Sequence, residues 1–238
     1  INDVVINKQD FIKNKIDELK TLLQSKQEPL IEIGKHCFTP YECDFTNYCW
    51  KDVPQEQSNT KKSIDSEAIS GFLETLEYPL YFFDFETIMP GIPEFDNSRP
   101  YQQIPFQFSL HILRKPDSVI EHYEFLGDGV NDPREKLIES LIMNLGNKGS
   151  IVTWNQTFEI LRLKELGRDF PQYEKELNLI IERVVDLIIP FRKRWYVLPA
   201  FNESASLKAV LPALVPELSY HDLEIQEGGT ASIVYSKL

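Results

Sequence analysis

Residues 78–87 read YPLYFFDFET, which places two carboxylates inside the most apolar and aromatic run of the chain. The length of the run, its aromatic content and the proline near its start predict a β-strand buried on both faces. Because side chains alternate along a strand, Asp84 and Glu86 are expected on the same face, one pleat apart. Two like charges buried together are costly unless a positive group neutralises them, and Mg²⁺ or Mn²⁺ prefers such ligands. The alternative is a strand end at which both acids emerge into solvent.

The composition is that of a globular chain with a substantial core, since 42% of the 238 residues are hydrophobic. This length allows one large domain, or one of ordinary size with an appendage. No apolar run reaches the length of a membrane span, and the amino end lacks a secretion signal, so we expect a cytoplasmic location and no membrane partner. The chain does not begin with Met, and residues 236–238 close no element, which indicates a piece of a longer polypeptide.

The formal charge of −12 argues against a surface that binds nucleic acid over its whole extent. A local site remains compatible with this charge, because metal-dependent nucleases cluster acids at the catalytic centre and need basic residues only along the substrate path. Net charge therefore discriminates weakly among these functions.

The first 58 residues differ in character from the rest. Residues 8–27 carry apolar side chains at spacings of three and four, which predicts an amphipathic helix whose packing core is partly missing from this chain. Residues 51–59 are polar and predict a linker. We therefore expect the C-terminal remnant of one domain over residues 1–58 and a second domain over residues 59–238.

All three cysteines of the chain, Cys37, Cys43 and Cys49, lie close together at regular spacing. In a cytoplasmic chain such thiols are better explained as ligands of an iron–sulfur cluster or of zinc than as disulfides. Three ligands are one short of the usual four, so either His36 completes a zinc site or a fourth cysteine lies upstream. The alternative is three unligated thiols.

Residues 89–105 are rich in Pro and Gly and predict a long loop beside the two acids. Long loops in compact domains are often functional, and several polar side chains here are candidates for contacts with the backbone or bases of a substrate. They are Arg99, Tyr101, Gln102 and Gln103. The alternative for each of them is to pack the loop onto the domain.

Regular elements follow the loop. Residues 106–113 and 119–125 alternate in hydrophobicity and predict two strands of a hairpin, with His111 on the polar face rather than serving as a ligand. A helix is expected from Pro133 to Gly146, and a short strand over residues 148–154.

More acids stand at the ends of later elements. Glu159 follows the strand of residues 148–154 in the sequence N-x-x-F-E, which begins at Asn155, and Asp186 ends the apolar run of residues 180–187. A basic cluster comes directly afterwards and consists of Arg192, Lys193 and Arg194. A further helix is expected to begin after Ser206.

This order of D-x-E strand, hairpin, helix, N-x-x-F-E and terminal helix resembles the ribonuclease H-like fold of the DEDD exonuclease superfamily. The resemblance implies an α/β fold with a mixed sheet flanked by helices. It implies that Asp84 and Glu86 are metal ligands, and that Glu159 is a ligand in the second motif, where Glu replaces the usual Asp. Asn155 and Asp186 would support the site.

The sequences DFET, RPYQQIPFQFSLH and SLKAVLPALVP resemble more closely a bacterial domain-of-unknown-function family, number 2779, over about residues 79–235. The cysteine segment is similar to the tail of an iron–sulfur RecB-like nuclease domain, which uses one distant upstream cysteine. The closing aspartate of the DEDD pattern is missing. Residues 220–222, Tyr-His-Asp, are the nearest candidates and lie in a predicted loop, so the closing Asp is expected beyond Leu238.

The resemblance implies a metal-dependent nuclease with 3′–5′ exonuclease-like hydrolysis of phosphodiesters in DNA or RNA. Two Mg²⁺ or Mn²⁺ ions about 4 Å apart would be bridged by Asp84 and completed by Glu86 and Glu159, with the basic cluster on the phosphates. One alternative is a nucleic-acid-binding domain of a larger nuclease that has lost turnover. The other is an architectural domain that carries a metal-bound cysteine segment.

Overall fold

The computed structural model describes residues 2–25, 27–37, 43–51, 61–218, 225 and 228–238. They fall into two compact units, Ile1–Glu56 and Gln57–Leu238. In the first unit, helix α1 spans Asn2–Gln24 and the short helix α2 spans Thr46–Cys49, with a 3₁₀ turn at Lys35–Cys37 between them. Most of the predicted linker lies outside the described residues.

The second unit contains alternating strands and helices. Its strands are β1 (Ser63–Ile64), β2 (Leu80–Ile88), β3 (Ile104–Leu113), β4 (Glu121–Leu126), β5 (Ile151–Thr153), β6 (Val184–Asp186) and β7 (Tyr196–Val197). Its helices are α3 (Ser66–Leu73), α4 (Arg134–Leu145), α5 (Thr157–Asp169), α6 (Glu174–Ile181), α7 (Ile189–Arg192), α8 (Leu207–Leu214) and α9 (Gly228–Tyr235). Two 3₁₀ turns lie at Pro171–Tyr173 and Pro199–Phe201.

The described part of this unit contains a mixed five-stranded sheet in the order β4-β3-β2-β5-β6. Strands β2, β3 and β4 are antiparallel neighbours, whereas β2, β5 and β6 run parallel. The hairpin of β3 and β4 confirms the prediction made from the alternating hydrophobicity of these residues. The sheet with its flanking helices confirms the α/β fold class. Strands β1 and β7 form a separate two-stranded pair.

The main core lies on one face of the sheet. Phe83 and Phe85 of β2 pack there with Phe108 and Leu110 of β3 beneath apolar residues of helices α4, α5 and α6. Burying a side chain of this size completely contributes roughly 1.5–3 kcal/mol, so this layer supplies much of the stability of the unit. The apolar spacing of helix α4, with Leu137, Leu141 and Leu145 fully enclosed, explains why that helix forms where it does.

Strand β2 is not buried on both faces, which corrects the prediction from its apolar composition. Phe82 is 36% exposed and Asp84 is exposed, while Phe83 and Phe85 between and beyond them are enclosed. The alternation arises because helices α4 to α6 cover one face only. The other face borders an open groove, which is described below.

The loop before β3 is shorter than predicted, because Ile104 and Pro105 already belong to the strand. The register between β2 and β3 shifts at Glu86, and Pro105 lies at this bulge, where the ladder is interrupted and a missing N–H is tolerated. The loop is anchored by the buried Arg134, whose guanidinium donates hydrogen bonds to the carboxylate of Asp132 and to the carbonyl of Asp96.

Across the described ranges of the chain, no helix combines the length and the apolar character needed to cross a membrane.

Candidate metal-binding acid cluster

The two acids of β2 lie on the same face of the strand, with the buried Phe85 between them. Solvent reaches Asp84, whereas Glu86 is half-buried. Partial desolvation of its carboxyl by the surrounding protein raises the pKa of Asp84, and a hydrogen bond from the Phe85 amide lowers it by less. Burial, followed by the negative charge of Asp84, raises the pKa of Glu86. The two carboxylates therefore repel each other where hydration is restricted, an arrangement that a cation relieves.

A third carboxylate, that of Glu159, comes from the first turn of helix α5. Its residue is 2% exposed, and its Oε2 atom has no hydrogen-bond partner among the described residues. Burial raises the pKa of this carboxyl to about 7, against a hydrogen bond from its own amide, and the charges of Asp84 and Asp186 raise it further while that of Arg162 lowers it. Of the two β2 acids, Asp84 is thus the one whose charge acts on the Glu159 carboxyl.

The turn that delivers Glu159 is held by Asn155 and Asp186. Asn155 has a left-handed backbone, with φ of 71°, and its amide donates a 2.8 Å hydrogen bond to Oδ1 of the buried Asp186. The same oxygen accepts a 3.2 Å bond from the amide of Ile188. Asp186 thus joins the ends of β5 and β6 and fixes the path of the chain into α5.

The three carboxylates do not close into a ligand cage. No three His, Cys, Asp or Glu side chains converge closely enough to hold a metal ion in residues 2–25, 27–37, 43–51, 61–218, 225 and 228–238. Within those same ranges, none of the salt bridges involves Asp84, Glu86 or Glu159. The donor set, carboxylates with one buried and unpaired oxygen, is of the type that a hard divalent ion prefers.

The predicted substrate loop divides into exposed and inward-facing residues. Arg99 and Tyr101 are exposed. Gln102 is buried, donates a 2.6 Å hydrogen bond to Asp169 Oδ2 and accepts one from the Arg99 amide. Gln103 accepts a hydrogen bond from Arg162. Gln102 and Gln103 therefore pack the loop in this structure, and Arg99 and Tyr101 remain open to a ligand.

The basic segment is exposed along its length, and one of its residues contacts the site. Arg192 Nη2 donates a 3.1 Å hydrogen bond to Asn155 Oδ1. The ammonium group of Lys193 lies 4.9 Å from the centre of the Trp195 ring. Arg194 adopts a left-handed backbone, with φ of 59°. We refer to Asp84, Glu86 and Glu159 as the acid cluster. Of the three basic residues, Arg192 is the one that contacts Asn155, which precedes Glu159 in the chain.

A groove of about 610 Å³ lies beside Asp84 and was not predicted from the sequence. Asp84, Ser109, His111 and Thr153 contribute polar groups to its lining. Its apolar lining includes Phe82, Trp154, Phe191, Leu207, Val210 and Leu211. The helical spacing of the last three was visible in the sequence, but only the fold shows that they face the open side of the sheet.

The cysteine segment lies in the first unit. Cys37 is buried, Cys43 and Cys49 are exposed, and within the described part of the chain all three are free of disulfides. The amide of Cys43 donates a 2.8 Å hydrogen bond to the carbonyl of Cys37, which brings these two backbones together. The iron–sulfur or zinc site stays a prediction. The candidate closing residues 220–222 lie outside the described residues.

Comparison with known proteins identifies similar chains of undescribed activity. The chain is 30% identical over 178 residues to an uncharacterized protein of Ureaplasma parvum serovar 3, a match that covers 69% of this chain and 25% of the relative. It is 30% identical over 171 residues to an uncharacterized protein of Mycoplasma genitalium, covering 64% of this chain and 26% of the relative. A homologue in Mycoplasma pneumoniae is 27% identical over 192 residues, covering 73% and 29%.

The chain thus spans about a quarter of the length of these curated relatives. No solved structure gives a significant match. A family model described as a domain of unknown function, DUF2779, matches residues 81–206, which include the D-x-E strand, Asn155, Glu159 and Asp186. Because this match covers more than half of the 238 residues, the chain belongs to the DUF2779 family.

Proposed function

We propose that this domain is a metal-dependent nuclease that hydrolyses phosphodiester bonds of DNA or RNA in a 3′–5′ exonuclease-like manner. The observation that carries the proposal is the carboxyl of Glu159, which is buried, unpaired at Oε2 within the described residues, and coupled to the charges of Asp84 and Asp186. A strongly perturbed acid beside other acids in a fold with an open groove is typical of a functional site. The mixed sheet flanked by helices is also the architecture that a ribonuclease H-like nuclease requires.

Asp84, Glu86 and Glu159 are the residues that would hold the ions. Carboxylate oxygens suit Mg²⁺ or Mn²⁺, and Asn155 and Asp186 would keep Glu159 in place. When bound, a pair of such ions lowers the pKa of an attacking water and stabilises the leaving oxygen.

Other residues of the chain would bind and orient the substrate. Arg192, which donates a hydrogen bond to Asn155, would contact a phosphate, and Arg194 and Lys193 follow it on the exposed surface. Arg99 and Tyr101 are open on the loop that precedes β3. In the absence of a cation, Glu159 would hold a proton near neutral pH, since its pKa is raised to about 7.

A second candidate function is nucleic-acid binding without turnover, as part of a larger nuclease. The observation that favours it is that no three acidic or metal-ligating side chains close around an ion in the described ranges. A Glu in place of the usual Asp at residue 159 points the same way, because it lengthens the ligand by one methylene. Binding of an oligonucleotide without cleavage in Mn²⁺ would select this alternative.

We also propose that Cys37, Cys43 and Cys49 contribute three ligands to an iron–sulfur cluster or to zinc, with the fourth ligand outside this chain or supplied by His36. Three thiols close together in sequence and free of disulfides support the idea. Metal analysis of protein purified without oxygen separates the two metals. Absence of both iron and zinc would contradict this part of the proposal.

The decisive experiment uses single-stranded DNA and RNA labelled at the 5′ end, incubated with the protein in Mn²⁺. We expect progressive shortening from the 3′ end by the wild-type protein and none by Asp84→Asn, which keeps the shape of the side chain and removes its charge. Glu176→Gln, a substitution at an exposed residue of helix α6, is the matched control and should cleave like the wild type. Equal cleavage by Asp84→Asn would rule out the assignment.

A further inference from the structure

A pair of histidines lies on the open face of the sheet, outside the acid cluster. His111 of β3 and His122 of β4 occupy directly opposite positions in the hairpin. Their rings are nearly parallel, with centroids 4.3 Å apart and 17° between the ring planes. Both residues are exposed, so an ion can reach them from solvent.

Ring nitrogens remain available in this pair. His122 Nε2 lies 3.3 Å from the hydroxyl of Ser109. In the tautomer with its proton on Nε2, His122 donates this hydrogen bond and keeps the lone pair of Nδ1 free. A bond of this kind orients the ring of a metal-binding histidine. His111 makes no hydrogen bond through its ring within the described ranges, so both of its nitrogens face solvent or the groove.

The electrostatic setting favours a neutral imidazole at His111. Burial, and then the positive charge of His122, lower the pKa of His111. The His111 ring therefore resists protonation. Neutral imidazole is the form that binds metal ions.

We propose that His111 and His122 form a binding site for a transition-metal dication such as Zn²⁺ or Ni²⁺, with both imidazoles as ligands and water in the remaining positions. Imidazole suits these ions, whereas Mg²⁺ and Mn²⁺ prefer oxygen ligands. The hairpin itself holds the ligands together, since directly opposite residues of an antiparallel pair have Cβ atoms about 4.5–5.5 Å apart. The hairpin therefore holds the two backbones side by side before an ion arrives, and the stacked rings turn about their side-chain bonds so that one lone pair of each reaches the ion.

The histidine site offers nitrogen ligands, whereas the acid cluster offers oxygen ligands, and the histidines lie close to Asp84 on the sheet. His111 lines the groove that also contains Asp84, and Ser109, the partner of His122, lies directly opposite Asp84 in the β2–β3 register. A bound dication would therefore add positive charge to the edge of this groove. The proposal depends on the histidine pair alone and stands whether or not the domain is a nuclease.

The test is isothermal titration calorimetry with Ni²⁺ in excess Mg²⁺, which competes for oxygen ligands and not for imidazoles. The protein carries Cys37→Ser, Cys43→Ser and Cys49→Ser, so that thiolates do not compete. We expect one Ni²⁺ per chain. Loss of a partner that merely orients a ligand costs roughly 10- to 100-fold in affinity, so His111→Gln and His122→Gln should each weaken binding by at least about tenfold.

The matched control is Glu176→Gln, at an exposed residue of helix α6, which should leave the affinity unchanged. Ser109→Ala should weaken binding less than loss of either ring. Paramagnetic Ni²⁺ should also broaden the NMR signals of His111 and His122 before any others, and circular dichroism verifies the fold of each variant. Unchanged affinity in the His111→Gln, His122→Gln double variant, or loss of binding in the control, would overturn the proposal. Cleavage is not measured, so this outcome is independent of the nuclease test.

Discussion

The two faces of strand β2 carry similar residues into different surroundings. Phe83 and Phe85 are enclosed under three helices, whereas Phe82 on the other face is 36% exposed beside Asp84 and Glu86. The covered face gains stability from packing. The open face keeps charged groups whose raised pKa values show that the fold does not favour their ionised forms. The contrast teaches that aromatic content alone does not distinguish a core layer from the wall of a site.

The largest effect on stability is expected on the covered face. Phe83→Ala removes an enclosed ring from the main core and should lower the free energy of unfolding by about 3–5 kcal/mol, through lost burial and the cavity that remains. Phe82→Ala, the neighbour on the open face, should cost only about 1 kcal/mol. Urea denaturation of both variants measures the difference. Equal costs would show that the two faces are not distinct.

The next largest effect is expected at Glu159, measured as stability against pH in a chelating buffer. The unfolded carboxyl ionises near 4.5 and the folded one near 7, so wild-type protein should lose stability as the pH rises through that window. The loss should be roughly 3 kcal/mol, given about 1.36 kcal/mol for each pKa unit. Glu159→Gln should remove most of this slope, and Glu176→Gln should not.

Addition of Mn²⁺ sharpens the same experiment. At pH 8 the ion should restore stability to the wild-type protein, because in our proposal it binds the folded carboxylates and not the unfolded chain. The Glu159→Gln variant should be stabilised less by the same addition of Mn²⁺. A wild-type pH profile as flat as that of Glu159→Gln would contradict the burial of an unpaired carboxyl at this position.

A smaller effect is expected at Asp186, which supports the open face from the end of β6. Asp186→Ala leaves the amides of Asn155 and Ile188 without their acceptor and should cost roughly 1–3 kcal/mol. Asp186→Asn retains an acceptor oxygen and should cost less. Thermal unfolding ranks the two, and an Asn variant as unstable as the Ala variant would show that charge, rather than the hydrogen bonds, is what matters there.

Local patterns were sufficient to predict several elements of the fold. The alternation of residues 106–113 predicted β3, and the spacing closed by Gly146 predicted helix α4, because both signals come from residues near each other in the chain. The shared face of Asp84 and Glu86 follows from the period of a strand in the same way.

Features that depend on partners distant in sequence were not predictable. The apolar run of residues 180–187 reads as one element, yet helix α6 ends at Ile181 and strand β6 begins at Val184, because that strand is defined by its pairing with β5. Pro105 entered a strand because of a bulge in the β2–β3 ladder. The facing of His111 and His122 depends on hairpin register, which places them opposite each other across β3 and β4.

The candidate site shows the same division. The sequence and the family resemblance together pointed to Asp84, Glu86 and Glu159, and the structure couples Glu159 electrostatically to Asp84. Neither indicated the groove, because its wall comes from helix α8, whose apolar stripe could face any neighbour. The sequence and the resemblance also did not indicate that Gln102 donates a hydrogen bond to Asp169.

The left-handed turn at Asn155 has a thermodynamic consequence. This one residue bonds Asp186 through its amide and Arg192 through its side chain, four positions before Glu159. A phosphate that binds Arg192 in place of Asn155 must break the second of these bonds. If breaking it changes the affinity of Glu159 for a cation by some factor, then binding of the cation must change the affinity for the phosphate by the same factor. Reciprocal titrations, each in the presence and absence of the other ligand, would yield a single coupling constant for the two.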